Sequence, residues 1–341
     1  MTDLGPIALR AAAPDRPRLP DSALGLAWRP GADVPPASLG ALLRRVEEGD
    51  GSPFRTSDAE LTEHLGVPWH DAAADDLVGL DPDGTPRAFA LVNRSPGDVA
   101  VTRAFVWAGV DPSWRGRGVG RELLGWALGR ARQVLVESGT TGPARIVEHI
   151  DDSAAATVAL LRHAGFVAVR FDAHMSRMLD GDLPAAALPR GLRLETWTPE
   201  RDEQARLAHN EAFADHTGSE PRTPEQWRSG RGTFVPAWSA VVVDEATDDV
   251  IGYQLSHRYE EDWALTGIPA GYTGTLGVRR AWRHRGVARA LLVDAMRRYR
   301  ADGMQAAELG VDTENPTGAF GLYEGLGYAR TSSSAMWVLD V

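Results

Sequence analysis

RRAWRHRGVARALLVDAMRR, residues 279–298, decides the reading of this chain. An apolar run ending at Val278 leads into a basic turn through Arg283, His284, Arg285 and Gly286. Leu291, Leu292, Ala295, Met296 and Tyr299 then recur at the spacing of one helix face. A strand feeding a glycine-containing turn that opens a helix makes an anion cradle. The first backbone N–H groups of a helix lack partners inside it, and its dipole places positive charge there.

The stretch has a twin. Ser113-Trp-Arg-Gly-Arg-Gly-Val-Gly120 follows the apolar run 99–110 and opens a helix along Leu123, Leu124, Ala127, Leu128 and Ala131. Gly286 lies 168 residues after Gly118, and Tyr328 lies 162 after Phe166, so the copies stay in register apart from one small deletion after the long helix. Around each turn the same order recurs. The first copy reads as a strand from Leu26, helices over 35–48 and 56–65 (the second capped by Ser57 or Asp58), a hairpin about Asp81–Gly84, the turn and its helix, a strand at 144–149, a helix at 152–163 and a strand at 167–177. The second runs from a strand at 192–197 to a final strand at 334–339. One mixed α/β module repeated twice is the architecture. The expected boundaries are a flexible tail at 1–24, a first domain at 25–178, a linker at 179–190 containing two prolines, and a second domain at 191–341.

Composition narrows the function classes. A chain of 341 residues with 43% hydrophobic and 24% charged residues has the apolar mass for two cores. A net charge of −11 argues against a nucleic-acid binder, which needs a basic face. Zero cysteines exclude disulfides, thiolate metal ligands and a cysteine nucleophile. The N-terminus lacks a signal-peptide pattern and no apolar run reaches the length of a membrane span, so a cytoplasmic location is expected. The nine histidines have no zinc-like spacing, and no G-x-S-x-G is present. Neither copy supplies the third glycine of a dinucleotide-binding G-x-G-x-x-G, nor the lysine of a P-loop.

Arg283-x-x-Gly286-x-Ala288 and Arg115-x-x-Gly118-x-Gly120 resemble the R/Q-x-x-G-x-G/A signature of the GNAT acyltransferase superfamily, of which tandem pairs are known. The resemblance covers residues from about Leu26 to Val341. It implies an α/β (α+β mixed) fold of two tandem domains, each a central, mostly antiparallel twisted sheet flanked by helices. It implies acetyl-coenzyme A as cosubstrate, no metal, and a pyrophosphate held on backbone amides. The implied cofactor residues are Leu276, Val278, Arg283, Arg285, Gly286, Val287, Ala288 and Asn315 in the second copy. In the first they are Val110, Arg115, Arg117, Gly118, Val119 and Gly120. Physics agrees: side chains at the glycine positions would crowd a phosphate, and Arg279, Arg280, Arg283 and Arg285 supply positive charge and fork-shaped donors.

A second motif separates the copies. Asn315-x-x-x-Ala319-x-x-x-Tyr323-x-x-x-Gly327-Tyr328 resembles the family's N-x-x-x-A-x-x-x-Y-x-x-x-G-F/Y pattern, whose tyrosine protonates the departing thiolate. A phenol with pKa near ~10 is protonated at neutral pH. At the same offset the first copy has Leu161 in place of Tyr323 and Ser153 in place of Asn315. The first domain is therefore expected to bind cofactor but to catalyse poorly or not at all.

The implied reaction is direct attack by the amine of a small molecule, with a backbone amide of the 272–278 strand steadying the oxyanion. That strand carries no carboxylate, and His257, Glu260, Glu261 and Asp262 remain alternative candidates for the base. Asp215, His216 and Trp227 are candidates to line the acceptor site, with a helix end and surface loop as the bland alternative. Other readings stay open: acetylation of a protein N-terminus or lysine or use of a longer acyl donor, and a non-catalytic acyl-coenzyme A sensor. No nucleic-acid or membrane partner is expected, and oligomeric state is not legible.

Overall fold

The computed structural model describes residues 5–94, 96–214, 220–314 and 318–341. The chain divides into two compact units, Met1–Arg170 with Ser334–Val341, and Phe171–Ser333. Its strands are β1 (Ala27–Pro30), β2 (Asp76–Leu80), β3 (Pro86–Asn93), β4 (Thr102–Val110), β5 (Ala144–Asp151), β6 (Val167–Met178), β7 (Leu192–Thr196), β8 (Ala240–Asp244), β9 (Val250–His257), β10 (Ala270–Val278), β11 (Ala306–Asp312) and β12 (Ala329–Asp340). Its helices are α1 (Ile7–Arg10), α2 (Pro36–Asp50), α3 (Asp58–Leu65), α4 (Val119–Glu137), α5 (Ala155–His163), α6 (Asp202–Ala212), α7 (Pro224–Arg228), α8 (Glu260–Thr266), α9 (Val287–Ala301) and α10 (Ala319–Glu324). The family-level expectation of two mixed α/β modules holds.

In the first unit the strand order is β1-β2-β3-β4-β5, completed by the end of β12. Every pair is antiparallel except β4 with β5. Helix α2 starts with Pro36 at its first turn, ends at Gly51 in the left-handed conformation, and buries Leu39, Leu42, Leu43 and Val46. Helix α3 is fixed by a capping box in which Ser57 and Glu60 satisfy each other's backbone N–H. Ser57→Ala is expected to lower stability by about 1 kcal/mol, read as a shift in the urea midpoint at unchanged slope. The core lies between the sheet and α4, where Leu123, Ala127, Ala131 and Leu135 pack on Ala88, Ala90, Ala104 and Ile146.

The second unit repeats the order as β7-β8-β9-β10-β11, completed by the end of β6, with β10 and β11 the parallel pair. Helix α9 buries Val287, Leu291, Leu292, Ala295, Met296 and Tyr299. The Tyr299 hydroxyl bonds Ser256 at 2.7 Å and Thr273 at 3.1 Å, so this large ring is buried without stranding its polar end.

Three boundaries differ from those expected. Residues before 25 are not a loose tail in their described part: Ile7 and Ala11 are each 1% exposed, and Gly129 on α4 leaves the room that Pro14 and Pro17 occupy. The segment after Met178 is not a free linker. The Leu179 N–H donates to Gln305 O at 2.8 Å, while Leu183 and Ala186 pack on the second unit's core. Proline and glycine there mark an irregular path rather than a mobile one. Finally, each half of the chain gives its last strand to the other unit. Ser334–Asp340 pairs with β5 and Asp172–Met178 pairs with β11. The strand pattern in a sequence shows which residues extend, not which neighbour they join.

Candidate active site

The two glycine turns have the same local geometry. Gly286 (φ 82°) and Gly118 (φ 91°) stand as N-caps of α9 and α4, and neither helix has a side-chain cap. Both glycines hold a left-handed backbone that a side chain would strain. The residue two before each is left-handed as well: Gly116 at 74° in one copy and His284 at 59° in the other. Val287 and Val119 are buried at 1%, pinning the first turn of each helix to its sheet, while Gly286 and Gly118 face solvent.

The arginines divide in a way the sequence does not announce. Arg115 donates through Nε to Val110 O at 3.0 Å and through its fork to Asp50 at 2.6 and 3.0 Å. Arg283 does the same work, to Val278 O at 3.3 Å and to Ala212 O at 2.6 Å. Both tie the end of a strand to the end of a helix and so shape the turn. Arg279 likewise bonds Val250 O and Glu211. Arg285 lies over Trp282 at 5.0 Å and Arg117 over Trp114 at 4.7 Å, both exposed beside their turns. Beside the first turn, Asp111 is buried. Burial works against its charge, but hydrogen bonds from Ser113, Arg45 and Arg87 outweigh it and hold the carboxyl well below its usual range.

Each parallel pair opens as it approaches its turn. Strands β4 and β5 pair only from Thr102↔Ala144 to Phe105↔Val147, and β10 and β11 only from Ala270↔Ala306 to Thr273↔Leu309. Beyond those points β4 runs on to Val110 and β10 to Val278, each with an edge turned away from its former neighbour. Leu276 and Val278, and Val110 in the first unit, lie half-buried along these edges. An extended ligand can hydrogen-bond there as a strand would.

The units differ at the fork itself. In β10 the pairing with β9 shifts between Thr273 and Thr275, leaving Gly274 as a bulge, whereas β4 pairs with β3 without a shift from Phe105 to Val110. A Cβ on Gly274 would lie 2.6 Å from Cδ2 and 2.9 Å from Nε2 of His257, so the bulge and the imidazole fit only because this residue is glycine. His257 Nδ1 lies 3.1 Å from Thr233 Oγ1, and its ring stacks on Tyr259 at 6.0 Å. Tyr259 meets Tyr272 edge-on at 5.3 Å. Glu260, Glu261 and Asp262 form the first turn of α8, a helix absent from the sequence reading, and Glu260 pairs with Arg258 at 2.7 Å.

Tyr323 and Leu161 occupy the same place in the two copies. Tyr328 N bonds Tyr323 O at 3.1 Å across left-handed Gly327, and Phe166 N bonds Leu161 O at 3.0 Å across left-handed Gly165. Tyr323 is 7% exposed and burial pushes its hydroxyl up to about 12; Leu161 is 1% exposed among apolar neighbours. Trp227, a candidate for the acceptor site, is core instead. It is 4% exposed, donates to Asp202 at 2.8 Å and packs on His209 and Tyr253. Asn315, Asp215 and His216 lie outside the described residues. Among the described residues no group of three or more His, Asp or Glu is placed to hold a metal ion, and no helix is long and apolar enough to cross a membrane.

Comparison with known proteins matches this geometry. The model of the acetyltransferase (GNAT) family matches twice, at residues 43–166 and 201–328. A mycothiol acetyltransferase of Thermobispora bispora is 35% identical over 68% of this chain and 72% of its own length. A GCN5-related N-acetyltransferase from Sphaerobacter thermophilus superposes with a TM-score of 0.70 at 27% identity, covering 95% of this chain and 97% of that one. A tandem GNAT protein from the clavulanic acid biosynthesis pathway shares the fold, with a TM-score of 0.66 over 92% of this chain and 98% of its own at 20% identity. With two turns, two forked strand pairs and two family matches in one polypeptide, this chain belongs to the GNAT family and is a tandem-domain acetyltransferase.

Proposed function

We propose that the protein transfers the acetyl group of acetyl-coenzyme A to the amine of a small molecule, and that only the second unit performs the transfer. The observation that carries this reading is the paired difference at the fork. The second unit has the Gly274 bulge and Tyr323, while the first has an unshifted strand and Leu161. The curated relatives, named for mycothiol, favour a small acceptor.

In the second unit the backbone amides at Gly286, Val287 and Ala288 hold the pyrophosphate, and Arg285 lends exposed charge beside them. The edge of β10 carries the extended arm along Leu276 and Val278. The bulge turns a backbone N–H out of the ladder, where it steadies the oxyanion as the amine attacks. Tyr323 donates a hydrogen bond to the sulfur as the C–S bond breaks. His257, fixed against the bulge by Thr233 and Tyr259, takes the proton of the attacking amine. In the first unit the backbone at Gly118, Val119 and Gly120, the strand edge at Val110 and the exposed Arg117 hold a second cofactor without turnover, on a turn that Arg115 shapes from within.

A thiol-release assay with acetyl-coenzyme A against a panel of small amines tests the reading. Tight cofactor binding without release from any amine would leave a sensor instead. His257→Asn, whose side-chain amide takes the place of Nδ1, keeps the contact to Thr233 but removes the base. It is expected to lower kcat by about 10²-fold with the KM for acetyl-coenzyme A unchanged. A loss confined to KM would assign His257 to binding.

A further inference from the structure

The first unit carries a buried acid that the transfer reaction does not use. Glu148 is the first residue of β5 beyond the last pair with β4, so it stands where the two strands part. It is 3% exposed, and its Oε2 has no hydrogen-bond partner. Its direct cross-strand neighbour on β12 is Trp337, 5% exposed, whose Nε1 also has no partner. Cross-strand neighbours share one face of a sheet, and this face is the apolar one, alongside Ile146 and Ala335 in the core under α4 and α5. Desolvation alone raises the Glu148 carboxyl to about 8, so at neutral pH it keeps its proton and is a donor. In the second unit the inward residues of the matching strand are Ala307, Leu309 and Val311, all apolar.

Arg162 stacks over the Trp337 ring at 5.3 Å but leaves Nε1 without an acceptor, and two donors without hydrogen-bond partners in a buried wall are costly unless an acceptor arrives between them. The acceptor must reach the point where β4 and β5 separate. We propose that Glu148 and Trp337 together form a binding site for the thioester carbonyl of an acyl-coenzyme A held by the first unit, making that unit selective for the acylated cofactor over free coenzyme A. The site rests on the reading that the turn at Arg115–Gly120 holds a coenzyme A pyrophosphate. The carbonyl oxygen accepts from Trp337 Nε1–H and from the Glu148 hydroxyl, and no bond is made or broken. Leu161, at the position Tyr323 fills in the other copy, offers no proton to the sulfur, so the bound thioester is recognised and kept.

The test is equilibrium dialysis of acetyl-coenzyme A and coenzyme A with the full chain carrying Gly286→Glu, which closes the second unit's turn. Circular dichroism of each variant checks the fold. In that background the acetylated ligand is expected to bind about tenfold tighter than the free thiol, as two net hydrogen bonds would give. Glu148→Gln, still a donor of similar shape, should keep most of that ratio, while Glu148→Leu and Trp337→Phe should each reduce it to about threefold or less. An unchanged ratio in Glu148→Leu and Trp337→Phe would overturn the proposal and leave the two groups to a structural water. If neither ligand bound the Gly286→Glu protein while the parent chain bound one equivalent, the first-unit cofactor reading itself would fall, and the proposal with it.

Discussion

Replacing Tyr323 with phenylalanine is expected to lower kcat by about 10²-fold at unchanged KM for acetyl-coenzyme A, while Leu161→Ala leaves kcat where it was. The size follows from the environment. With its hydroxyl pushed up to about 12 by burial, Tyr323 is a weaker acid than an ordinary thiol near ~8.5, so complete proton transfer to the thiolate runs uphill. A hydrogen bond to the developing negative charge does not, and such a bond to a charged group contributes about 1.5–3 kcal/mol. The sign for pH is also fixed. Tyr323 loses its proton only as pH rises toward 12, so below about pH 10 any alkaline loss of rate belongs to another group. Leu161→Ala empties part of the first unit's core and costs about 2–5 kcal/mol of stability there, so its activity is to be read well below the melting transition. Equal losses of kcat in the two variants would sink the assignment of the active half.

The second large effect is expected at the turns. Gly286→Asp should raise the KM for acetyl-coenzyme A about 100-fold, and Gly118→Asp should leave the kcat/KM of the transfer within about twofold of its starting value. Nothing lies within 4 Å of a Cβ built on Gly286, so the cost is not a clash with the protein. It comes from forcing an L-residue into a left-handed backbone, about 1–2 kcal/mol, and from setting a carboxylate against the phosphates on a helix N-terminus. Dialysis of the Gly118→Asp protein should then show one cofactor bound rather than two. If turnover fell as far in Gly118→Asp as in Gly286→Asp, the division of labour between the units would be wrong.

Much of this was legible in the residues. The repeat at 168 and 162 residues marks the two modules, because a left-handed turn that opens a helix leaves glycine at fixed places beside arginine. The alignment of Leu161 with Tyr323 was also open to inspection, and the matching hydrogen bonds across Gly165 and Gly327 show why the spacing was kept. Other features were hidden to different degrees. The bulge left one trace, Gly274 inside an apolar strand, a place where glycine often marks a broken ladder. The inward ties of Arg115 and Arg283 left none, since a guanidinium that shapes a turn and one that meets a phosphate are the same letter. Trp227 could not be told from a pocket residue until its contacts with Asp202 and Tyr253 were known. Glu148 sat unremarked in a strand where alternation alone would have placed it on the apolar face.

The first unit also contains Ser334–Val341. A ribosome delivers those residues only after the whole of Phe171–Ser333 has been made. At about 5–20 residues per second, the nascent first unit waits roughly ten to thirty seconds with the outer edge of β5 unpaired and the wall that Trp337 will cover open to water. Translation speed through the second half thus sets how long an aggregation-prone edge stays exposed. A truncation that removes Ser334–Val341 would damage the half of the protein that was made first.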